Sequence, residues 1–307
     1  PAGSAQYGLA ISNFDQGSAK RFNFGFIASS DNHRARPGTG YKEIDRFVTT
    51  EANGPSNEIV ADILYPMDEP VDRSIDLRAQ PLLGLRAGFG AFEAEREASF
   101  FTTGGLAAVH SKARDRNSIW EGLTKKETYG TSGDRILLWF DLIRENSIFP
   151  MGSTTSQTQN PVFRVKAVGA FEQKPGCPDY SSTNITDEEI ERICKNECYN
   201  PSDKRKNISR IEVVKITPQK SPEESVDDLI FDVWKSFDCK PSQQGCQFEF
   251  TDDEFSKQSR DSIYYVRAIQ EASPVVNAGN LRCSYNEKGE CIKAVSYTHL
   301  RAHETTS

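Results

Sequence analysis

The feature that most constrains the fold is a change of pattern near residue 150. Before it the chain alternates buried runs, irregular loops and an amphipathic helix. After it come separated segments of alternating polar and apolar residues. Runs at 24–31, 104–110 and 135–143 read as strands, and residues 116–127 read as a helix with Ile119, Trp120 and Leu123 on its inner side. A strand, loop, helix order is the pattern of an α/β protein. Beyond residue 150 the expected strands are 162–171, 208–216, 229–237 and 262–270, with one short helix expected in 187–198. Strands so spaced, with cysteines in the loops between them, predict an all-β, sandwich-like module.

The cysteines respect the same division. All seven, Cys177, Cys194, Cys198, Cys239, Cys246, Cys283 and Cys291, follow residue 170. Cysteines clustered in short loops suggest disulfides made in an oxidising compartment, with Cys239–Cys246 and Cys283–Cys291 as natural pairs; sequence alone leaves connectivity open. Zinc is the rival, but Cys194-x-x-x-Cys198 lacks the paired knuckles of a zinc ribbon. Reduced thiols are the third reading.

Charge removes one class of function. A net charge of −7 without a dense basic block is unsuited to a phosphate-backbone binder, so no nucleic-acid partner is expected. No apolar run approaches the roughly 20 residues of a membrane span. The chain begins at Pro1, and its first strand carries a motif expected late in a domain, so the sequence reads as a C-terminal fragment. Residues 296–307, including His299 and His303, resemble a translated sequencing adapter and are set aside.

Chemistry concentrates at the end of the first apolar run, where Phe24-Gly25-Phe26-Ile27-Ala28-Ser29-Ser30-Asp31-Asn32-His33 delivers a carboxylate and an imidazole two residues apart. On a strand that spacing puts both side chains on one face, where they can converge on a cation. The competing reading is an Asp in a loop turn and a His satisfying a buried carbonyl. His110 ends the next run beside Ser111, Lys112, Arg114 and Arg116. It reads as a proton donor or anion contact, against a structural histidine. Arg114, Arg116 and Arg135 suit a bidentate phosphate clamp, or else a solvated loop edge. The Gly- and hydroxyl-rich stretch 128–133 suits either a backbone anion cradle or a tight turn. Arg34 and Glu43 are candidate partners for His33. The sequons at Asn184 and Asn207 are taken as chance.

These motifs, with Pro37-Gly38, Gly104-Gly105-Leu106-Ala107-Ala108-Val109, Ile119-Trp120-Glu121-Gly122-Leu123 and 127–136, resemble a large uncharacterised branch of the PHP (polymerase and histidinol phosphatase) superfamily. The likeness is clear over 20–145 and weaker at 211–215 and 264–267. It implies the C-terminal part of a distorted (β/α)7 barrel at 1–148, followed by the β module at 149–295. It implies divalent metals (zinc, manganese or iron), with Asp31 and His33 as ligands, and hydrolysis of a small phosphate mono- or diester by metal-activated water. Upstream ligands of the family have no counterpart in this chain. The alternative is a non-catalytic extracellular module for carbohydrate or another ligand; metal-dependent hydrolysis of an amide or sulfate ester is third. A periplasmic or secreted location is expected.

Overall fold

The computed structural model describes residues 4–15, 19–29, 105–145, 147–194, 196–272, 282–285 and 291–295. In chain order the elements are α1 (Ala5–Ala10), β1 (Ser12–Asn13), β2 (Lys20–Arg21), β3 (Leu106–Val109), α2 (Arg116–Thr124), β4 (Thr128–Thr131), β5 (Leu137–Arg144), β6 (Ser147–Pro150), β7 (Val162–Val168) and β8 (Phe171–Gln173). Then follow α3 (Asp187–Cys194), β9 (Pro201–Arg205), β10 (Ile208–Ile216), β11 (Ile230–Asp238), β12 (Cys246–Thr251), α4 (Phe255–Gln258), β13 (Ile263–Gln270), β14 (Arg282–Tyr285) and β15 (Cys291–Val295).

Two sheets carry the core, one of order β12-β7-β5-β6 and one of order β11-β10-β13. Alternation decides which side chains meet. Leu138 pairs with Ala167 and Phe140 with Val165 across β5 and β7, and Phe163 pairs with Phe250 across β7 and β12. These residues join Ile208, Ile211 and Val213 of β10 in one buried cluster. Stacked rings of Phe140, Phe163 and Phe250 fill its middle. The opposite face of β10 is covered as well: Val214 and Ile216 pack with Leu9 and Ala10 of α1 and with Val226. Burial on both faces accounts for Val213 and Val214 standing side by side in β10, each in a different core cluster.

The expected (β/α)7 barrel is not the architecture. Among the described residues every strand pairing is antiparallel, and the sheets are small and none closes into a barrel. The connections give the reason. β5 turns into β6 through residues 145 and 146, far too short for the dozen or more residues of a parallel crossover. The helix in the strand, loop, helix run is α2, but the strands flanking it, β3 and β4, pair antiparallel with each other. The division expected at 148/149 falls inside β6, and β5 is hydrogen-bonded to β7 across it.

Two disulfides pin the loops. Cys239–Cys246 closes the β11–β12 connection, as the spacing suggested, whereas Cys177 bonds to Cys198 across 21 residues. Cys198 is therefore committed to sulfur rather than to a zinc site with Cys194. The side chains of Cys283 and Cys291 lie outside the described residues. No helix among the described residues is long and apolar enough to cross a membrane.

Candidate functional site

The β3–β4 pair is the platform from which any site near the Asp-x-His motif is built. α2, inserted between its strands, starts at Asp115, whose carboxylate accepts from the Ser118 backbone N–H at 2.9 Å. That bond holds the Asp115 carboxyl below the usual carboxylate range. The helix ends where Lys126 adopts a left-handed conformation (φ 61°) and donates its backbone N–H to Leu123 O at 3.0 Å. Gly122 is the buried residue of α2, because a Cβ there would lie 2.4 Å from His110 O. Trp120, expected on the inner side, is 69% exposed. Gly122 and Ile119 are three apart on one face, and Trp120 is rotated about 100° away from Ile119.

One face of the pair lies under residues 22–29. A Cβ on Gly130 would come 2.7 Å from Ala28 Cβ, and one on Gly105 would come 2.7 Å from Ser29 O. This close passage accounts for glycine at both positions. Of the stretch 128–133, Thr128–Thr131 is strand β4, and the bend that follows it, with Gly133 at φ 125° donating its N–H to Thr131 Oγ1 at 3.2 Å, is the tight turn toward β5. The segment itself is not the buried strand expected at 24–31. Residues 22–29 carry no ladder, and Phe22, Phe24, Phe26 and Ile27 are exposed. Phe26 reaches the Tyr265 ring at 5.9 Å, and Lys126 Nζ donates to Asn23 Oδ1 at 2.7 Å. The apolar run from Phe24 produced the strand expectation, but 22–29 joins no strand ladder. Asp31, His33, Arg34 and Glu43 lie outside the described residues.

His110 holds the platform to the sheets. Its Nε2 donates to Leu138 O at 2.8 Å, while Tyr129 Oη accepts from Leu138 N at 3.3 Å and donates to Ile136 O at 2.9 Å. β6 pairs with residues 141–144 of β5, so Leu138 lies beyond its reach and on that edge is met by these two side chains. The His110 ring also faces Trp139 at 6.0 Å. Trp139 belongs to the outer face of the four-stranded sheet, with Asp141, Arg164, Lys166 and Glu249. Lys166 Nζ lies 5.6 Å over the Trp139 ring and Arg164 Nε donates to Glu249 at 2.7 Å. Burial pushes the Asp141 carboxyl above its ordinary range, partly offset by its electrostatic interaction with Arg164 and His110.

The predicted arginines are dispersed. Arg114 lies in an exposed bend and Arg116 in the exposed first turn of α2. Arg135 stacks on the Tyr199 ring at 3.8 Å, beside a shallow crevice lined by Asp134, Phe171 and Gln173. Lys206 and Gln270 both bond to Asp134 Oδ2. Among the described residues no group of three or more His, Cys, Asp or Glu side chains is placed to hold a metal ion. Asp31 and His33 are suitable donors for a divalent cation, but the described residues add no cluster that completes such a site. Sequence reading missed Tyr129 and Asp141, since nothing local marks a tyrosine that caps an edge or a carboxyl that becomes buried.

A family model described as a protein of unknown function (DUF3604) matches residues 4–141. That span takes in α1, residues 22–29, the β3–β4 platform and the first half of β5. No curated protein and no solved structure matches the chain.

Proposed function

We propose that this chain takes part in metal-assisted hydrolysis of a small phosphate ester, with Asp31 and His33 supplying two ligands and the paired sheets forming a fixed base. The observation that carries the reading is the double anchoring of the approach to that motif. Residues 22–29 lie directly over Gly105 and Gly130, and the same β-pair is tied to the Leu138 edge by His110 and Tyr129. Such rigid support is what a ligand pair needs to hold its geometry. The likeness of the motifs to PHP-type sequences supports the same chemistry, in which a divalent cation lowers the pKa of its water to about 7 and holds the phosphoryl oxygens. The two disulfides suit action in an oxidising, extracytoplasmic compartment.

The test is metal content by elemental mass spectrometry of the full chain dialysed against zinc or manganese, with turnover of 4-nitrophenyl phosphate and bis(4-nitrophenyl) phosphate. Bound metal that is lost in Asp31→Ala and His33→Ala, together with any turnover, is the expected result. Metal content and hydrolysis unchanged in both variants would sink the proposal.

A second reading, a non-catalytic carbohydrate-binding module, is favoured by the Trp139 face. An aromatic ring bordered by Lys166, Asp141 and Arg164 offers a stacking surface with hydrogen-bonding groups around it. It predicts saturable glycan binding that survives chelation and disappears in Trp139→Ala.

A further inference from the structure

The deepest polar cluster among the described residues takes no part in either reading. Lys215 of β10 and Asp252, at the end of β12, come from the two opposing sheets and meet between them, with Nζ 2.5 Å from Oδ2. Their side chains are 4% and 1% exposed. Tyr264 of β13 donates its hydroxyl to the same Oδ2 at 2.6 Å, and the backbone N–H of Glu254 donates to Oδ1 at 3.2 Å. Aromatic rings close the surroundings: Trp234 and Tyr264 lie 5.3 and 6.0 Å from Nζ, and Phe163 packs on Tyr264 at 4.6 Å.

We propose that Lys215 and Asp252 are the site of an intramolecular isopeptide bond joining the two sheets. An ion pair this deeply buried keeps two charges out of water at a cost its mutual attraction barely repays. Condensation abolishes both charges. The amine and carboxyl are already held in contact by the fold, the condition under which an otherwise slow bimolecular step becomes effectively unimolecular.

The two carboxyl oxygens have different partners, and these assign their fates. The ammonium passes one proton to the carboxylate, giving a neutral amine and a carboxylic acid. Nζ then attacks Cγ, and the developing charge on Oδ1 is met by the Glu254 N–H. As the Cγ–Oδ2 bond breaks, Tyr264 donates its hydroxyl proton to the departing oxygen and recovers one from the nitrogen. The products are one amide and one water, with no oxidant, reductant or co-reactant. The resulting amide closes a loop of 37 residues' separation between β10 and the end of β12.

Intact mass of the purified full chain, denatured and fully reduced, tests the proposal. The expected mass is that of the sequence less one water, with a tryptic product in which the Lys215 peptide is joined to the Asp252 peptide. Lys215→Arg keeps the charge pair but cannot condense in this way, and is expected to restore the full sequence mass while retaining the wild-type circular dichroism. Tyr264→Phe is expected to leave an uncondensed fraction; complete condensation in that variant would overturn the acid role of Tyr264. A wild-type chain at full sequence mass, or a water loss mapped to other residues, overturns the bond itself.

Discussion

Single residues set the join between platform and sheets. His110 and Tyr129 satisfy Leu138 where β6 does not reach, so His110→Ala leaves a half-buried carbonyl without its donor and is expected to cost about 1–3 kcal/mol in urea denaturation. His110→Gln, which retains a side-chain N–H, should recover part of that loss. Gly122 offers a test of sign. Ala in place of Gly inside a helix ordinarily gains about 1 kcal/mol. Here the methyl would meet His110 O and Val109 Cγ2, at 2.4 and 2.7 Å, with backbone on one side. Gly122→Ala is therefore expected to destabilise, by about 1–3 kcal/mol. Asp141 is a carboxyl whose folded pKa is raised by burial, so its protonated form favours the folded state. That contribution is present below the unfolded carboxylate pKa and lost as pH rises through the folded one. Asp141→Asn should then raise stability near neutral pH, and the gain should shrink on acidification through the carboxylate range; a gain that does not depend on pH would contradict the burial argument.

At the level of elements, short connections did most of the work. With only two residues between them, β5 and β6 pair as a hairpin, and α2 folds back on His110 instead of carrying the chain to a parallel neighbour. The Cys177–Cys198 bond links the stretch after β8 to the one before β9, and Asn200 adds backbone and side-chain bonds to Gln173 and Pro175. The β8–β9 pair is short and its register shifts between Phe171 and Gln173, so it depends on this crosslink. Cys177→Ser with Cys198→Ser is expected to lower stability by about 3 kcal/mol, the value for closing a loop of this order. Limited proteolysis should then cut first between β8 and β9; an unaltered cleavage pattern would show that the hydrogen bonds alone suffice.

For the whole molecule, three layers share one strand. β10 packs on the four-stranded sheet through Ile211 and Val213 and on α1 through Val214 and Ile216, so the segment matched by the family model and the β-rich remainder share one core. Around that core Arg267 bridges Glu212 and Asp232, while Gln6 of α1 donates to Asp232 and to Tyr265. Two disulfides among seven cysteines leave three outside those pairs. Thiol titration of the denatured, unreduced protein should return no more than three free groups, and seven would rule out the disulfide framework.

Much of the strand content was legible from residues alone. Alternation located β10 at Ile208–Ile216 and brought β5, β7, β11 and β13 close to their observed spans. The short helix expected in 187–198 is α3, for the same local reason. Partners were not. A run of alternating residues carries no mark of whether its neighbour lies parallel or antiparallel, so strand, loop, helix was read as α/β, and the family resemblance as part of a barrel, when β3 and β4 pair with each other. The exposed course of 22–29 escaped because its apolar period matches a strand, while its contacts with Gly105, Gly130 and Tyr265 arise from segments more than 70 residues away. The sequence by itself determined which stretches extend, which cysteines fall in loops and where an Asp-x-His motif sits, because those depend on neighbours within a few bonds. Only the tertiary structure decided that Leu138 meets His110, that Cys177 meets Cys198, and that Lys215 and Asp252 face each other with side chains buried between the sheets. Those choices are made at a strand edge, between two loops and between facing sheets, by contacts far apart in the chain that no local pattern encodes.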